Sequence, residues 1–69
     1  MRVGDLVKIK EYYHLQLGQD PIGLVLDSSL NKKNGLPVYE VQLFGAHIGD
    51  QRVEQFTFYG KDLEVSKKA

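Results

Sequence analysis

Apolar and polar residues alternate in five short segments, and Gly, Pro and Asn separate these segments. In the first segment, Asp5–Lys10, Val7 and Ile9 alternate with Lys8 and Lys10, as expected for a strand with one buried face. No window longer than about ten residues repeats its apolar residues at the helical period. The 69-residue chain is therefore predicted to form one small all-β domain.

Four further strands follow from the same pattern. The second, Ile22–Leu26, is apolar on both faces, so its alternation does not decide which face is buried. The third and fourth predicted strands are Pro37–Phe44 and Arg52–Tyr59, and the last is Leu63–Val65. A strand that is apolar on both faces also predicts burial of one face against another protein, either a second copy or a larger assembly.

Turn-forming residues indicate the connections between the predicted strands. Residues 11–20 are predicted to form a long loop, and Asn31–Gly35 is predicted to form a turn because Asn and Gly accept positive φ. Gly45–Gln51 is a shorter connection, and Gly60–Asp62 is a tight step that predicts a short 3-10 turn before the last strand. Loops of these lengths are typical of a strongly bent antiparallel sheet that closes into a small barrel and so protects its edges.

Residues 1–66 are assigned to this single domain, and residues 67–69 to a frayed C-terminal tail. The predicted core consists of the apolar residues on the inward parity of each strand. These residues are Val7, Ile9, Leu24, Leu26, Tyr39, Val41, Leu43, Phe56, Phe58, Leu63 and Val65.

Four stretches carry a resemblance that covers almost the whole chain: 3–9, 22–25, 39–43 and 59–65. On these the chain resembles small Src-homology-3-like β-barrel proteins, in particular short stand-alone proteins encoded by bacteriophages, including those of cyanobacteria. The resemblance implies a non-enzymatic protein-interaction or structural module. As a phage-encoded protein it would be an accessory virion component or a modulator of a host protein.

One departure from a related family limits this expectation. Peptide-binding Src-homology-3 domains carry a paired Trp, and this chain has no Trp, so the resemblance does not support binding of proline-rich peptides.

The stretches 4–7 and 23–25 are also similar to KOW-type barrels, which implies nucleic-acid binding as the alternative function. Its candidate residues are Lys8, Lys10, Lys32 and Lys33. Nine basic and nine acidic residues cancel, whereas nucleic-acid binders usually carry a basic excess.

Four residues are the candidates for partner binding in the leading interpretation: Tyr12 and Tyr13 in the long loop, Ile48, and Tyr59. Tyrosine is enriched at protein interfaces because it supplies a large contact area. The outward parity of Tyr59 in its strand leaves it free to contact a partner. Self-association is included among the expected partners.

The sequence predicts that the chain does not belong to several other functional classes. The chain has no cysteine, which suits a reducing cytoplasm, and no apolar run long enough to span a bilayer. Two histidines, His14 and His47, together with Asp50 show no metal-ligand spacing. No serine lies in a nucleophile motif. We therefore expect no cofactor, no metal, no membrane association and no enzymatic activity.

Overall fold

The computed structural model describes residues 1–10 and 21–69. In this part of the chain five antiparallel strands and one 3-10 turn follow one another. They are β1 (Leu6–Ile9), β2 (Ile22–Leu30), β3 (Pro37–Ile48), β4 (Gln51–Tyr59), the 3-10 turn Gly60–Asp62 and β5 (Leu63–Lys67). The prediction of an all-β chain of five strands, with a 3-10 turn before the last, is confirmed.

The strands form one sheet in the order β4-β3-β2-β1-β5, with β4 and β5 at its edges. In a flat sheet these edges would be four strand spacings apart, or about 19 Å. The 3-10 turn nevertheless joins them, and the four Cα steps from Tyr59 to Leu63 span at most about 14 Å. The sheet must therefore bend strongly. No β4–β5 ladder closes it within the described residues, so the predicted barrel is not confirmed.

The core lies on one face of the bent sheet and draws a side chain from every strand. Its fully buried members are Val7, Ile9, Val25, Val41, Leu43, Ala46, Phe58 and Leu63, and Tyr39, Val53 and Phe56 pack against them. Phe56 and Phe58 both point inward, with ring centroids 5.0 Å apart. The alternation therefore predicted the inward face of β1 and β4 correctly, together with Tyr39, Val41 and Leu43 of β3.

The inward face of β2 differs from the prediction, because Gly23 and Val25 are buried whereas Leu24 and Leu26 are only half-buried. A Cβ atom on Gly23 would clash with the Val41 side chain and would lie 2.8 Å from a carbonyl oxygen of β3. Gly23 thus allows β2 and β3 to approach closely. Glycine in a strand interior often marks such an approach, but its missing side chain also hides the inward parity.

Val65, predicted to be in the core, is 36% exposed. It pairs directly with Val7 across β1 and β5, and cross-strand partners share a face of the sheet. Because β5 is an edge strand, no further strand covers Val65. The outer strand position, rather than the side-chain parity, explains the difference.

Residues 67–69 contact the start of the chain, and the fraying of this tail stays a prediction. Lys67 belongs to β5 and pairs with Leu6, and the backbone N–H of Ala69 donates to the Asp5 carboxylate at 2.7 Å. A Cβ atom on Gly4, which has a φ of +93°, would lie 3.1 Å from the Cβ of Ala69. The last residues therefore pack against the start of the chain.

The predicted connection Gly45–Gln51 is instead the tip of a long β-hairpin. The β3 strand continues to Ile48 through an irregularity between Gln42 and Ala46. Gly45 lies within this irregularity and has a φ of +76°, which glycine adopts at no steric cost. The extended strand places Ala46 in the core at 2% exposure. Sequence reasoning missed this residue because it treated the whole stretch as a loop.

Candidate functional site

The connection between β2 and β3 is the loop 31–36, and two asparagine side chains organise it. The backbone carbonyl of Asn31 accepts from the backbone N–H of Gly35 at 2.8 Å. The side-chain Oδ1 of Asn31 accepts another backbone N–H of the loop at 2.8 Å. The Oδ1 of Asn34 accepts from the backbone N–H of Leu36 at 3.0 Å. Such side-chain hydrogen bonds replace the strand ladder in turns, so the loop has a defined shape.

Tyr59, the last residue of β4, is bound to this loop through its hydroxyl. The Nδ2 atoms of Asn31 and Asn34 lie 3.1 and 3.3 Å from its Oη. Because backbone N–H groups occupy both Oδ1 atoms, the two amides must present their NH₂ groups to the hydroxyl. Tyr59 is half-buried, and its hydroxyl is bound within its own fold; its contact with a partner stays a prediction. We call Asn31, Asn34 and Tyr59 the Tyr59 cluster.

A shallow apolar recess, the Tyr59 recess, lies beside this cluster. Its volume is about 150 Å³, and it is lined by Leu36, Pro37, Tyr59, Gly60 and Lys61. Leu36 is 50% exposed. The Nζ atom of Lys61 lies 5.9 Å from the centroid of the Tyr59 ring, within the range of a cation–π interaction. The recess thus has mainly apolar walls, and Lys61 is the charged residue among those that line it.

A second recess adjoins the first and shares Pro37 with it. Its volume is about 260 Å³, and its lining residues are Met1, Ser28, Ser29, Leu30, Pro37 and Tyr39. Leu30 is 66% exposed. A Cβ atom on Gly60 would lie 3.2 Å from the Tyr39 ring, so glycine lets the 3-10 turn sit close to it. The two recesses together give one mainly apolar area around Pro37.

A different polar cluster surrounds Asp5, which is buried at 4% exposure. Its Oδ2 accepts from the backbone N–H of Arg2 at 2.9 Å, and its Oδ1 accepts from that of Ala69 at 2.7 Å. These two hydrogen bonds, chiefly the one from Ala69, hold the pKa of the Asp5 carboxyl below its usual value of 3.8, because they stabilise the charged form. We call Arg2, Asp5 and Ala69 the Asp5 cluster.

A recess of about 350 Å³ opens beside the Asp5 cluster. It is lined by Met1, Arg2, Asp5, Val65, Lys68 and Ala69. Asp5 is its one acidic residue, and both carboxylate oxygens already accept backbone hydrogen bonds. A general acid or base at neutral pH needs a pKa near the working pH, whereas the pKa of Asp5 is shifted away from it. The arrangement suits a carboxylate that holds the backbone at the two chain ends.

The remaining candidates for partner binding lie elsewhere. Ile48 is 44% exposed and ends β3 at the hairpin tip, where it pairs with Gln51. Tyr12 and Tyr13, together with His14, lie outside the described residues. The structure therefore places Ile48 and Tyr59 on separate features, and only Tyr59 borders an apolar recess.

The four lysines of the nucleic-acid alternative fall into two groups. Lys8 pairs with Ile22 at the start of β2, and Lys10 lies two residues beyond it. Lys32 and Lys33 lie in the loop that follows Leu30 at the other end of β2. An extended strand from Ile22 to Leu30 would span up to about 26 Å. The two pairs of lysines thus lie near opposite ends of this strand.

Within residues 1–10 and 21–69, no three His, Cys, Asp or Glu side chains converge as a metal site would require. In the same residues, no helix has the length and apolar character that crossing a membrane demands. Comparison of the chain with protein-family models, with curated proteins and with solved structures found no match. The resemblance to Src-homology-3-like and phage-encoded proteins therefore stays a prediction.

Sequence reasoning missed most of the residues that build the Tyr59 recess. Asn31 and Asn34 were predicted only as turn residues and Pro37 only as the first residue of a strand, and Leu36 was assigned to neither element. The available signal was the second asparagine, because a turn needs only one Asn-Gly pair. Nothing in the local sequence indicates that both amides bind a tyrosine 25 and 28 residues further along the chain.

Proposed function

We propose that this chain is a non-enzymatic protein-interaction module that binds its partner at the Tyr59 recess. The observation that carries the proposal is the exposed apolar wall formed by Leu36 and Pro37 beside a tyrosine whose hydroxyl is fixed. Apolar patches that stay exposed on small domains often mark interaction sites. Tyrosine is also among the residues that dominate binding energy when they are packed at the centre of an interface.

Preorganisation supports the choice of this recess over the hairpin tip. Two hydrogen bonds hold Tyr59, and the loop that carries Leu36 is held by its own backbone and side-chain bonds. Ordering flexible groups on binding costs free energy, so a wall that is already ordered binds more tightly. Ile48 is also exposed, but it lies at the end of a hairpin and lines none of the three recesses described above.

The roles that the resemblance implies, an accessory virion component or a modulator of a host protein, would each need such a surface. The phage origin itself stays a prediction. The nucleic-acid alternative gains no support from the arrangement of Lys8, Lys10, Lys32 and Lys33, because β2 separates them into two pairs.

Affinity capture with matched variants tests the proposal. The wild-type chain, Leu36→Glu and Ile48→Glu are immobilised and exposed to nuclease-treated extract of the source organism, and retained proteins are quantified by mass spectrometry. Both substitutions replace an exposed residue, so both variants are expected to fold. We expect a specific protein to be retained by wild type and by Ile48→Glu and lost from Leu36→Glu. Loss from Ile48→Glu alone would contradict the proposal.

A further inference from the structure

We infer that the Tyr59 recess takes an extended acidic segment of a protein partner, anchored by one apolar side chain. The inference rests on the proposed function and adds the chemistry of the partner. It combines three properties of the recess: the hydrogen-bonding groups that it presents, the charges around it and its size.

The polar groups of the residues that line the recess can act as hydrogen-bond donors. The Oη atom of Tyr59 accepts two N–H groups from Asn31 and Asn34, which uses the two acceptor sites of a hydroxyl and leaves its own hydrogen to donate. Lys61 has donors and no acceptor. A ligand that matches these groups must carry acceptors, such as peptide carbonyls or carboxylates.

Lysines lie at the recess and in the loop next to it. Lys61 lines it, and Lys32 and Lys33 are exposed on the same loop whose asparagines bind Tyr59. No acidic side chain is among the residues that line it. Complementary charge favours specific partners and faster association, so acidic residues in the ligand are expected to flank the position that enters the recess.

The size and walls of the recess indicate the anchor. A volume of about 150 Å³ accommodates a single apolar group of about the size of benzene and is well below the roughly 300 Å³ of common small-molecule pockets. Leu36 and Pro37 provide the apolar walls. One leucine-sized side chain therefore fits this recess.

An anionic nucleic acid matches the recess less well than an acidic peptide does. Single strands are bound by stacking bases on free aromatic faces. Lys61, however, lies 5.9 Å from the centroid of the Tyr59 ring, and the hydroxyl of this ring is hydrogen-bonded to the loop. The chain as a whole has no net charge, so it lacks the general basic excess that phosphate binding uses.

Peptide titrations followed by ¹H–¹⁵N NMR test the inference. The probe is a nine-residue peptide with a central leucine and two glutamates on each side. Matched versions replace the glutamates with glutamine or with lysine, and a short single-stranded oligothymidine serves as the nucleic-acid probe. We expect the acidic peptide to shift the amides of Leu36, Gly60 and Lys61. Two exposed ion pairs of usual strength correspond to a Kd about fivefold below that of the glutamine peptide.

The variants Lys61→Glu and Lys8→Glu provide the matched control, because only Lys61 lines the recess. Lys61→Glu is expected to remove the preference for the acidic peptide, and Lys8→Glu to keep it. Equal affinity for the glutamine and glutamate peptides would overturn the inference while leaving the proposed function standing. Shifts from the oligonucleotide but not from the acidic peptide would also overturn it. The proposed function fails separately, if the Leu36→Glu variant still captures the partner.

Discussion

The Asp5 cluster and the Tyr59 cluster both use side-chain polar atoms to hold irregular backbone, but they do so in different surroundings. Asp5 is buried, and both of its oxygens accept backbone N–H groups. Tyr59 is half-buried, and its hydroxyl meets the amides of two partly or fully exposed asparagines. An apolar recess with exposed walls lies beside Tyr59 alone. The difference separates a polar group that holds the fold from one that shapes a surface.

The physical basis of this difference is solvent access. A buried carboxylate without its hydrogen bonds would carry the full cost of desolvation, so the Asp5 cluster must be complete for the chain ends to pack. Water can replace a lost partner at the Tyr59 cluster, because Asn34 is exposed and Asn31 and Tyr59 are half-buried. Substitutions in the two clusters should therefore differ in their effects on stability and on binding.

The largest effect is expected next to Tyr59 in the sequence but on the opposite face of β4. Phe58 is 1% exposed and belongs to the core, so Phe58→Ala should lower the free energy of unfolding by about 3–5 kcal/mol. A domain of this size has only about 3–10 kcal/mol in total, so most molecules should unfold. Urea unfolding followed by circular dichroism measures the change. A well-folded Phe58→Ala variant would show that the inward assignment of β4 is wrong.

Asp5→Ala should have the next largest effect, because it leaves the backbone N–H groups of Arg2 and Ala69 without their acceptor. Asp5→Asn keeps one carbonyl oxygen and should lose less stability. The melting temperature is expected to be highest for wild type, lower for Asp5→Asn and lowest for Asp5→Ala. If both variants melted at the same temperature as wild type, the Asp5 cluster would not hold the chain ends.

The same cluster predicts a dependence on pH. The backbone N–H groups of Ala69 and Arg2 lower the pKa of Asp5 in the folded state below 3.8, so the charged form contributes stability above this value. That contribution is lost as the pH falls below about 4 through the folded pKa. Thermal melts between pH 7 and pH 2 should show a steeper loss for wild type than for Asp5→Asn. Parallel curves throughout would contradict the assigned hydrogen bonds.

Tyr59→Phe should have the smallest effect on stability. It removes the hydroxyl that accepts from Asn31 and Asn34 but keeps the ring, so we expect a loss of about 1 kcal/mol. The variant should still weaken binding at the recess, because the loop that carries Leu36 loses its anchor. A stability loss as large as that of Phe58→Ala would place Tyr59 with the structural residues and remove the distinction between the two clusters.

Local patterns predicted much of this fold. Alternation predicted the inward faces of β1 and β4, and the short Gly60–Asp62 step predicted the 3-10 turn. The pattern failed at Gly23, where the inward position of β2 has no side chain and the apolar neighbours suggested the opposite parity. It also failed at Ala46, because the irregularity around Gly45 carries β3 past the point where its alternation ends.

The candidate site was harder to predict, because its parts are distant in the sequence. The burial of Asp5 depends on a backbone N–H that lies 64 residues away. The position of Tyr59 depends on two asparagines 28 and 25 residues before it. Each residue has an ordinary local role in the sequence, as a strand or turn residue. Their roles in the two clusters arise only from the way in which the bent sheet brings the loops together.

Site-specific photo-crosslinking compares the two recesses most directly. A photoreactive phenylalanine analogue is placed at Leu36 in the Tyr59 recess or at Val65 in the recess beside Asp5, both of which are partly exposed. Each variant is irradiated in extract of the source organism. We expect one specific crosslinked protein from position 36, displaced by excess wild-type chain, and no displaceable product from position 65. A specific product from position 65 alone would contradict it.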